Sequence, residues 1–206
     1  MTILKSYPPA EAIAAGFLQM DDTAQVADGV RIVPYEDDGQ HWGPVTIAAG
    51  ALVREGVIIC SGAAIGEQSV IGHNVVLRRG VRIGRRSVLS HGTIIERLVQ
   101  IGDNVRISSL THITVACLIE DGVDIGARVA TVNDKEMRWR RPDQVLAPPI
   151  FRRGCRIGSG ATILSGIEIG ENTFVGSGSV VTRNLPPGVV AYGVPAYVQR
   201  ELTPGE

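Results

Sequence analysis

The stretch Ile101-Gly-Asp-Asn-Val-Arg-Ile107-Ser-Ser-Leu-Thr-His-Ile113 returns to isoleucine every sixth residue. The same beat runs unbroken through Ile47, Val53, Ile59, Ile65, Ile71, Leu77, Ile83, Leu89, Ile95, Ile101, Ile107, Ile113, Ile119 and Ile125. It resumes in a new phase at Phe151, Ile157, Ile163, Ile169, Val175 and Val181. A helix repeats at about 3.6 residues and a strand at about 2, so neither needs a strict six. A chain that turns a corner every six residues does need it, and the period therefore predicts an all-β fold, a solenoid of short parallel strands.

Two further positions of the unit agree. Four residues after each aliphatic stands a small or aliphatic residue, as at Ala51, Val57, Ser69, Val75, Thr93 and Ser179. Three residues after it, most units carry Gly or Asn, as at Gly50, Asn74, Gly80, Asn104, Gly160 and Asn172. Gly carries no Cβ penalty at positive φ and Asn tolerates it, so this position reads as a corner followed by an inward side chain.

With 206 residues the chain is long enough for one sizeable domain. Aromatic residues make up only 4%, which suits a narrow interior of stacked Ile and Val. A formal net charge of −1, with acids and bases interspersed, gives no electrostatic footprint for nucleic acid. No apolar run approaches a membrane span and the start lacks a leader pattern, so the expectation is a soluble cytoplasmic protein with no membrane partner. Three cysteines without a CxxC pair argue against a disulfide framework and a zinc knuckle. Cys117 and Cys155 fall at the small inward position, and Cys60 at one that can face out.

The map divides into residues 1–46, an extension with an imperfect first coil near Val26–Ile32, then the repeat domain 47–186, and a tail 187–206. Pro8-Pro9 before Glu11-Ala-Ile-Ala-Ala predicts a short helix. The repeat is interrupted near 134–150 by a hydrophilic segment. Insertions in a solenoid loop out on one face, often the binding face. Arg138, Trp139 and Arg140 within it form a candidate acceptor-binding set, able to hold a planar anionic ligand by stacking and ion pairing.

The run from Ile157-Gly-Ser-Gly-Ala161 through Gly178-Ser179 to Gly193-Val-Pro-Ala196 resembles the C-terminal signature of the hexapeptide-repeat acyltransferases. The resemblance covers about residues 47–200. It implies a left-handed parallel β-helix, a homotrimer with active sites between subunits, and acetyl-coenzyme A lying along the coils as co-substrate, with no metal. Gly160, Ala161, Gly178 and Ser179 are the implied donor contacts, where small residues let a pantetheine chain approach the backbone. Arg183 and Arg200 stand where relatives carry a base for coenzyme phosphates. Many relatives read Gly-Asn-Pro-Ala at 193–196, so Val194 removes a side-chain contact.

The acceptor side is less legible. In the small-sugar O-acetyltransferases a histidine base precedes the interrupting loop, whereas here the sequence reads Thr131-Val-Asn133-Asp134. The Asn-Asp pair resembles nucleotide-sugar N-acyltransferases and implies an amino sugar or nucleotide sugar as the small-molecule acceptor. An amine attacks before its proton must leave, so a strong base matters less. Asn133 and Asp134 are the candidate catalytic pair, with an Asx turn as the plain structural alternative. His91 and His112 are further candidates for the base, while His73 and His41 read as surface histidines. Three alternatives stay open: O-acetylation of a hydroxylated acceptor, a γ-carbonic-anhydrase-like metalloenzyme, and a non-catalytic scaffold.

Overall fold

The computed structural model describes residues 5–35, 39–136, 145–203 and 205. Each hexapeptide forms a strand of two or three residues, and each strand pairs in parallel with those one coil before and after. Arg82–Ile83 pairs with Ala64–Ile65 on one side and Gln100–Ile101 on the other, a register of 18 residues. Three hexapeptides therefore make one coil. Among the described residues the strands stack into three parallel sheets, the faces of a left-handed β-helix.

The corners explain why six residues suffice. From Ile47 to Ile125 and from Phe151 to Val175, the third residue after the buried aliphatic has positive φ, whether or not it is glycine. Gly50, Gly80 and Gly122 sit there, but so do Gln68, Arg86, Leu98, Leu110 and Arg128. A side chain in this conformation costs roughly 1 kcal/mol or more, so the coil imposes the turn and the residue accepts it. Every aliphatic of the series is buried, with relative exposure between 0% and 4%. Phe151 shows that one large ring does fit the interior. The step after Ile125 is polar: Thr131 occupies the aliphatic column at 3% exposure.

The first coil starts earlier than the Val26–Ile32 segment alone. Leu18–Met20, Gln25–Val26 and Arg31–Val33 pair with Val45–Ile47, Leu52–Val53 and Ile58–Cys60. The helix Pro9–Ala14, with proline in its first turn, lays buried Ala12 on this end. Tyr7 bridges Ile32 antiparallel. At the far end Val189–Gly193 adds in parallel to Phe174–Val175, and Ala196–Glu201 then folds back antiparallel. None of the described helices is long and apolar enough to cross a membrane.

One expectation fails. Cys60 does not face out but is buried at 5% exposure. The strand runs on through Cys60, which pairs with Val33. The residues after it are held to the non-repeating segment: the Trp42 amide donates to Ser61 Oγ, and the Gly62 amide to the Gly43 carbonyl. Trp42 lies over Gly62 and Gly80, where a Cβ would collide with it or crowd it.

The face carrying His112–Ile113 is called the third face below. Its leading edge is the corner column 90–92, 108–110, 126–128, 158–160 and 176–178. Its trailing edge is the column 78–80, 96–98, 114–116, 132–134, 164–166 and 182–184. Since stacking neighbours fill the column on both sides of Ile107, Ile107→Ala should cost about 2–5 kcal/mol in urea unfolding. A loss under about 1 kcal/mol would mean the column can collapse around the gap.

Candidate active site

Along the leading edge, side chains shrink toward the C-terminal coils: Gly126-Ala127, Gly158-Ser159-Gly160, Gly176-Ser177-Gly178. These glycines serve two purposes. A Cβ on Gly126 or Gly158 would strike the backbone of Ser159 or Ser177, and one on Gly176 would strike Tyr192, so coil stacking demands them. On Gly160 a Cβ would meet nothing nearer than the Gly178 amide nitrogen at 4.0 Å, and on Gly178 nothing within 4 Å. Here the corner leaves bare main chain facing solvent. Ala161 and Ser179 face inward, at 0% and 1% exposure, as the position after a corner requires. Only their main chain borders the groove, and Ser179 Oγ accepts the Gly193 amide at 3.2 Å.

His91 lies on this same edge, several coils before Gly160. It stacks on His73 with ring centroids 5.0 Å apart. Its Nδ1 accepts the His73 amide at 3.0 Å and lies 3.1 Å from His73 Nδ1. That nitrogen is committed to holding the corner, which leaves Nε2 as the only one able to exchange a proton with a ligand.

His112 stands on the third face itself, exposed, in the strand between the two edges. Glu96 Oε1 lies 3.9 Å from His112 Nε2, and Glu96 Oε2 lies 3.8 Å from Arg78. These are charge contacts at long range rather than short hydrogen bonds. Glu96 was not singled out from sequence. Its contact is visible only once the coil is known to be 18 residues long, which brings positions 16 apart onto neighbouring coils. Around His112 the face is apolar: Ile58, Ile94, Leu98 and Leu110 are exposed there at 37–58%.

Asn133 and Asp134 sit on the trailing edge, where the chain leaves the coil. The register resumes with Leu118 paired to Ile150, 32 residues on rather than 18. The root of this excursion is sewn to the coil. The Ala147 amide donates to the Asn133 carbonyl at 2.8 Å, and the Ala147 carbonyl accepts from the Gly166 amide at 2.7 Å and Ser165 Oγ at 3.0 Å. Asp134 Oδ1 accepts the Glu136 amide at 2.9 Å, so the Asx turn is present. Asp134 also lines a cleft of about 560 Å³ together with Lys135, Ser165, Thr182 and Arg183. The structure thus unites Asp134 with Arg183 and parts both from Gly160 and Gly178, which lie across the third face. Arg183 stacks 4.8 Å over Tyr197. Arg200 lies on the returning terminal strand, opposite Val190. Arg138, Trp139 and Arg140 lie outside the described residues.

The thiols take no part in this surface. Burial pushes Cys155 up to about 12 and raises Cys117 as well. Glu96 is held below the usual carboxylate range, chiefly by His112 and further by Arg78, against the opposing effect of burial. A depressed folded value gives stability that is present above the unfolded pKa and lost as pH falls through the folded one. Glu96→Gln should therefore be less stable than wild type at pH 7, with the gap closing below about pH 4. A gap that stays constant with pH would show that the contact with His112 does not form.

Comparison with known proteins follows the coil. The model of bacterial transferase hexapeptide repeats matches residues 148–183, and that of the succinyl-transferase hexapeptide repeat matches residues 62–97. A serine acetyltransferase of Buchnera aphidicola (subsp. Schizaphis graminum) is 46% identical over 54 residues, which is 26% of this chain and 21% of that protein. The galactoside O-acetyltransferase of Escherichia coli K12 is 52% identical over 46 residues, 22% of this chain and 23% of that protein. The matched stretches thus span less than a quarter of these relatives' lengths. Among solved structures, a Bacillus cereus protein provisionally assigned as an acetyltransferase, the BC4754 product, aligns with a TM-score of 0.54 at 25% identity. That alignment covers 89% of this chain and 86% of the other. A UDP-N-acetylglucosamine acyltransferase shares the fold, with a TM-score of 0.50 at 14% identity over 89% of this chain and 74% of that one. By its six-residue period, its three-faced coil and the two matched repeat blocks, the chain carries the hexapeptide repeats described for bacterial transferases and is similar over those blocks to hexapeptide-repeat acyltransferases.

Proposed function

We propose that this chain transfers an acetyl group from acetyl-coenzyme A to an amino group of a sugar or nucleotide-linked sugar. The observation that carries the donor half is the bare main chain at Gly160 and Gly178, inside the C-terminal matched repeat block. The absence of side chains suits close approach of an extended pantetheine arm to the main chain, while the Gly160 and Gly178 amides themselves donate to the Ala127 and Ser159 carbonyls. The coenzyme supplies a thioester carbonyl for attack. Asn133 or main-chain amides would stabilise the oxyanion, and Asp134, His91 or His112 would take the proton. Of these His112 is best prepared, since Glu96 lies beside its Nε2 while His91 Nδ1 already holds a main-chain amide. The cleft of Asp134, Lys135 and Arg183 offers both charges to an acceptor.

The amine reading rests on Asn133 and Asp134 at the loop root, where no histidine stands. A hydroxyl acceptor is the second reading. It is favoured by the contact between His112 and Glu96, which is the arrangement a hydroxyl needs, and by the relatives named for O-acetyl and serine acetyl transfer.

The working form in this reading is a homotrimer. Ile58 and Ile94 expose their side chains on the third face, and Leu98 and Leu110 are both exposed and held at positive φ. Two unfavourable conditions in one leucine are offset when a second copy covers it. Light scattering should therefore report three chains per particle, and Ile94→Glu should shift it to one; a wild-type monomer would remove the subunit clefts from the proposal.

Coenzyme A at a hundred times its Kd should stabilise the protein by about 2.7 kcal/mol. Ser177→Trp, which fills the groove, should abolish that protection and leave the melting temperature of the free protein unchanged. No protection of wild type at any concentration would remove the transferase reading and favour the scaffold. Asn133→Ala should lower kcat at least tenfold, roughly the loss of one oxyanion donor, with the melting temperature held. Mass spectrometry of products from paired amino and hydroxyl sugars then separates the two acceptors.

A further inference from the structure

Thr131 is the first polar residue to enter the aliphatic column after fourteen consecutive aliphatics, and the chain leaves the coil directly after it. A buried hydroxyl in that column needs partners. Three surround it: the Thr114 amide donates to Thr131 Oγ1 at 2.8 Å, Thr114 Oγ1 lies at 2.9 Å, and the His112 carbonyl accepts from it at 3.4 Å. Cys117 Sγ closes the cluster, 3.4 Å from Thr114 Oγ1.

The first of these bonds is out of pattern. At the equivalent step of other coils the amide donates to the main-chain carbonyl of the aliphatic residue: Arg78 to Ile95, Glu96 to Ile113, Gly102 to Ile119 and Ser108 to Ile125. At Thr114 the acceptor is the side-chain oxygen of Thr131 instead. The pairing reflects it. His112–Ile113 and Ala130–Thr131 share one residue pair, His112 with Ala130, where the neighbouring Ile94–Ile95 and His112–Ile113 share two. One coil on, both pairs are restored, Ala130 with Thr162 and Thr131 with Ile163. The ladder is therefore altered at a single rung, and that rung lies between His112 and Asn133.

We infer that Thr131 is a positioning residue: its hydroxyl takes the place of its own carbonyl in the coil ladder and so fixes the direction in which Asn133 and Asp134 leave the coil relative to His112. Valine has the same shape and would continue the aliphatic series, so packing alone gives no reason for a hydroxyl here. What the hydroxyl does is hold the His112 carbonyl and the Thr114 amide at the root of the excursion. The main chain then departs through Asn133, whose carbonyl is caught by the returning Ala147 amide. The catalytic part of this inference rests on the transferase reading; the structural part does not.

Three variants test it. Thr131→Ser and Thr131→Ala leave nearly the same gap and differ in the hydroxyl, while Thr131→Val fills the column. Thr131→Ser should keep kcat within about threefold of wild type. Thr131→Ala and Thr131→Val should lose at least tenfold in kcat, with KM for acetyl-coenzyme A and thermal protection by coenzyme A unchanged. Equal turnover of the Ser and Ala variants, at matched melting temperatures, would overturn the inference, and this comparison survives if the valine variant does not fold. Amide exchange at Ala147 provides the readout independent of activity. It should accelerate at least tenfold in the Ala variant over the Ser variant, and equal exchange in the two would sink the structural part. Should coenzyme A fail to protect wild type, the transferase reading falls while the exchange experiment still decides whether Thr131 sets the exit.

Discussion

A side chain must tolerate the left-handed region once in every six residues, and the rest of this molecule follows from that requirement. The corner brings the next residue inward and lets a strand as short as Val88–Leu89 end without splaying the chain. Where glycine or asparagine holds the corner the requirement costs little. Where Arg86, Leu98, Leu110 or Arg128 holds it, the neighbouring coils must enforce the conformation. They do so through main-chain bonds such as the Leu110 amide to the His91 carbonyl and the Arg128 amide to the Ser109 carbonyl.

The same geometry gives the two edges of the third face different chemical characters. On the leading edge, tight coil stacking removes side chains at Gly158 and Gly176, and positive φ favours their absence at Gly160 and Gly178. The outcome is a strip of peptide groups. The trailing edge carries Arg79, Glu96, Asp134 and Arg183, and there the ladder opens to release the excursion. Bare backbone and charged side chains thus stand on opposite borders of one face. His112 stands between the two.

Much of this could be read from the residues. The six-residue beat located the core strands, and the small inward residues four positions on are buried as the pattern requires. The first coil was only partly legible because Met20, Val26 and Ile32 keep the beat in a phase shifted by the segment before Val45. Cys60 was misjudged because its strand runs one residue longer there, pairing with Val33 of a first coil whose beat is out of phase. Ala161 and Ser179 are buried behind their corner glycines, as the inward position of the unit predicts. Glu96 and the Thr114–Thr131–Cys117 cluster depend on contacts between coils, which a reading along the chain does not reveal until the number of units per turn is known.

A parallel coil with open ends presents unpaired peptide groups above and below, a template on which another coil could add without limit. Here one sheet at each end meets a reversal of chain direction. Tyr7 runs antiparallel against Ile32 beneath the helix Pro9–Ala14, and Ala196–Glu201 returns against Val189–Gly193 with Tyr197 through Glu201 turned to solvent. On each of those sheets an incoming coil would meet main chain of the wrong polarity, which disfavours continuous head-to-tail pairing there.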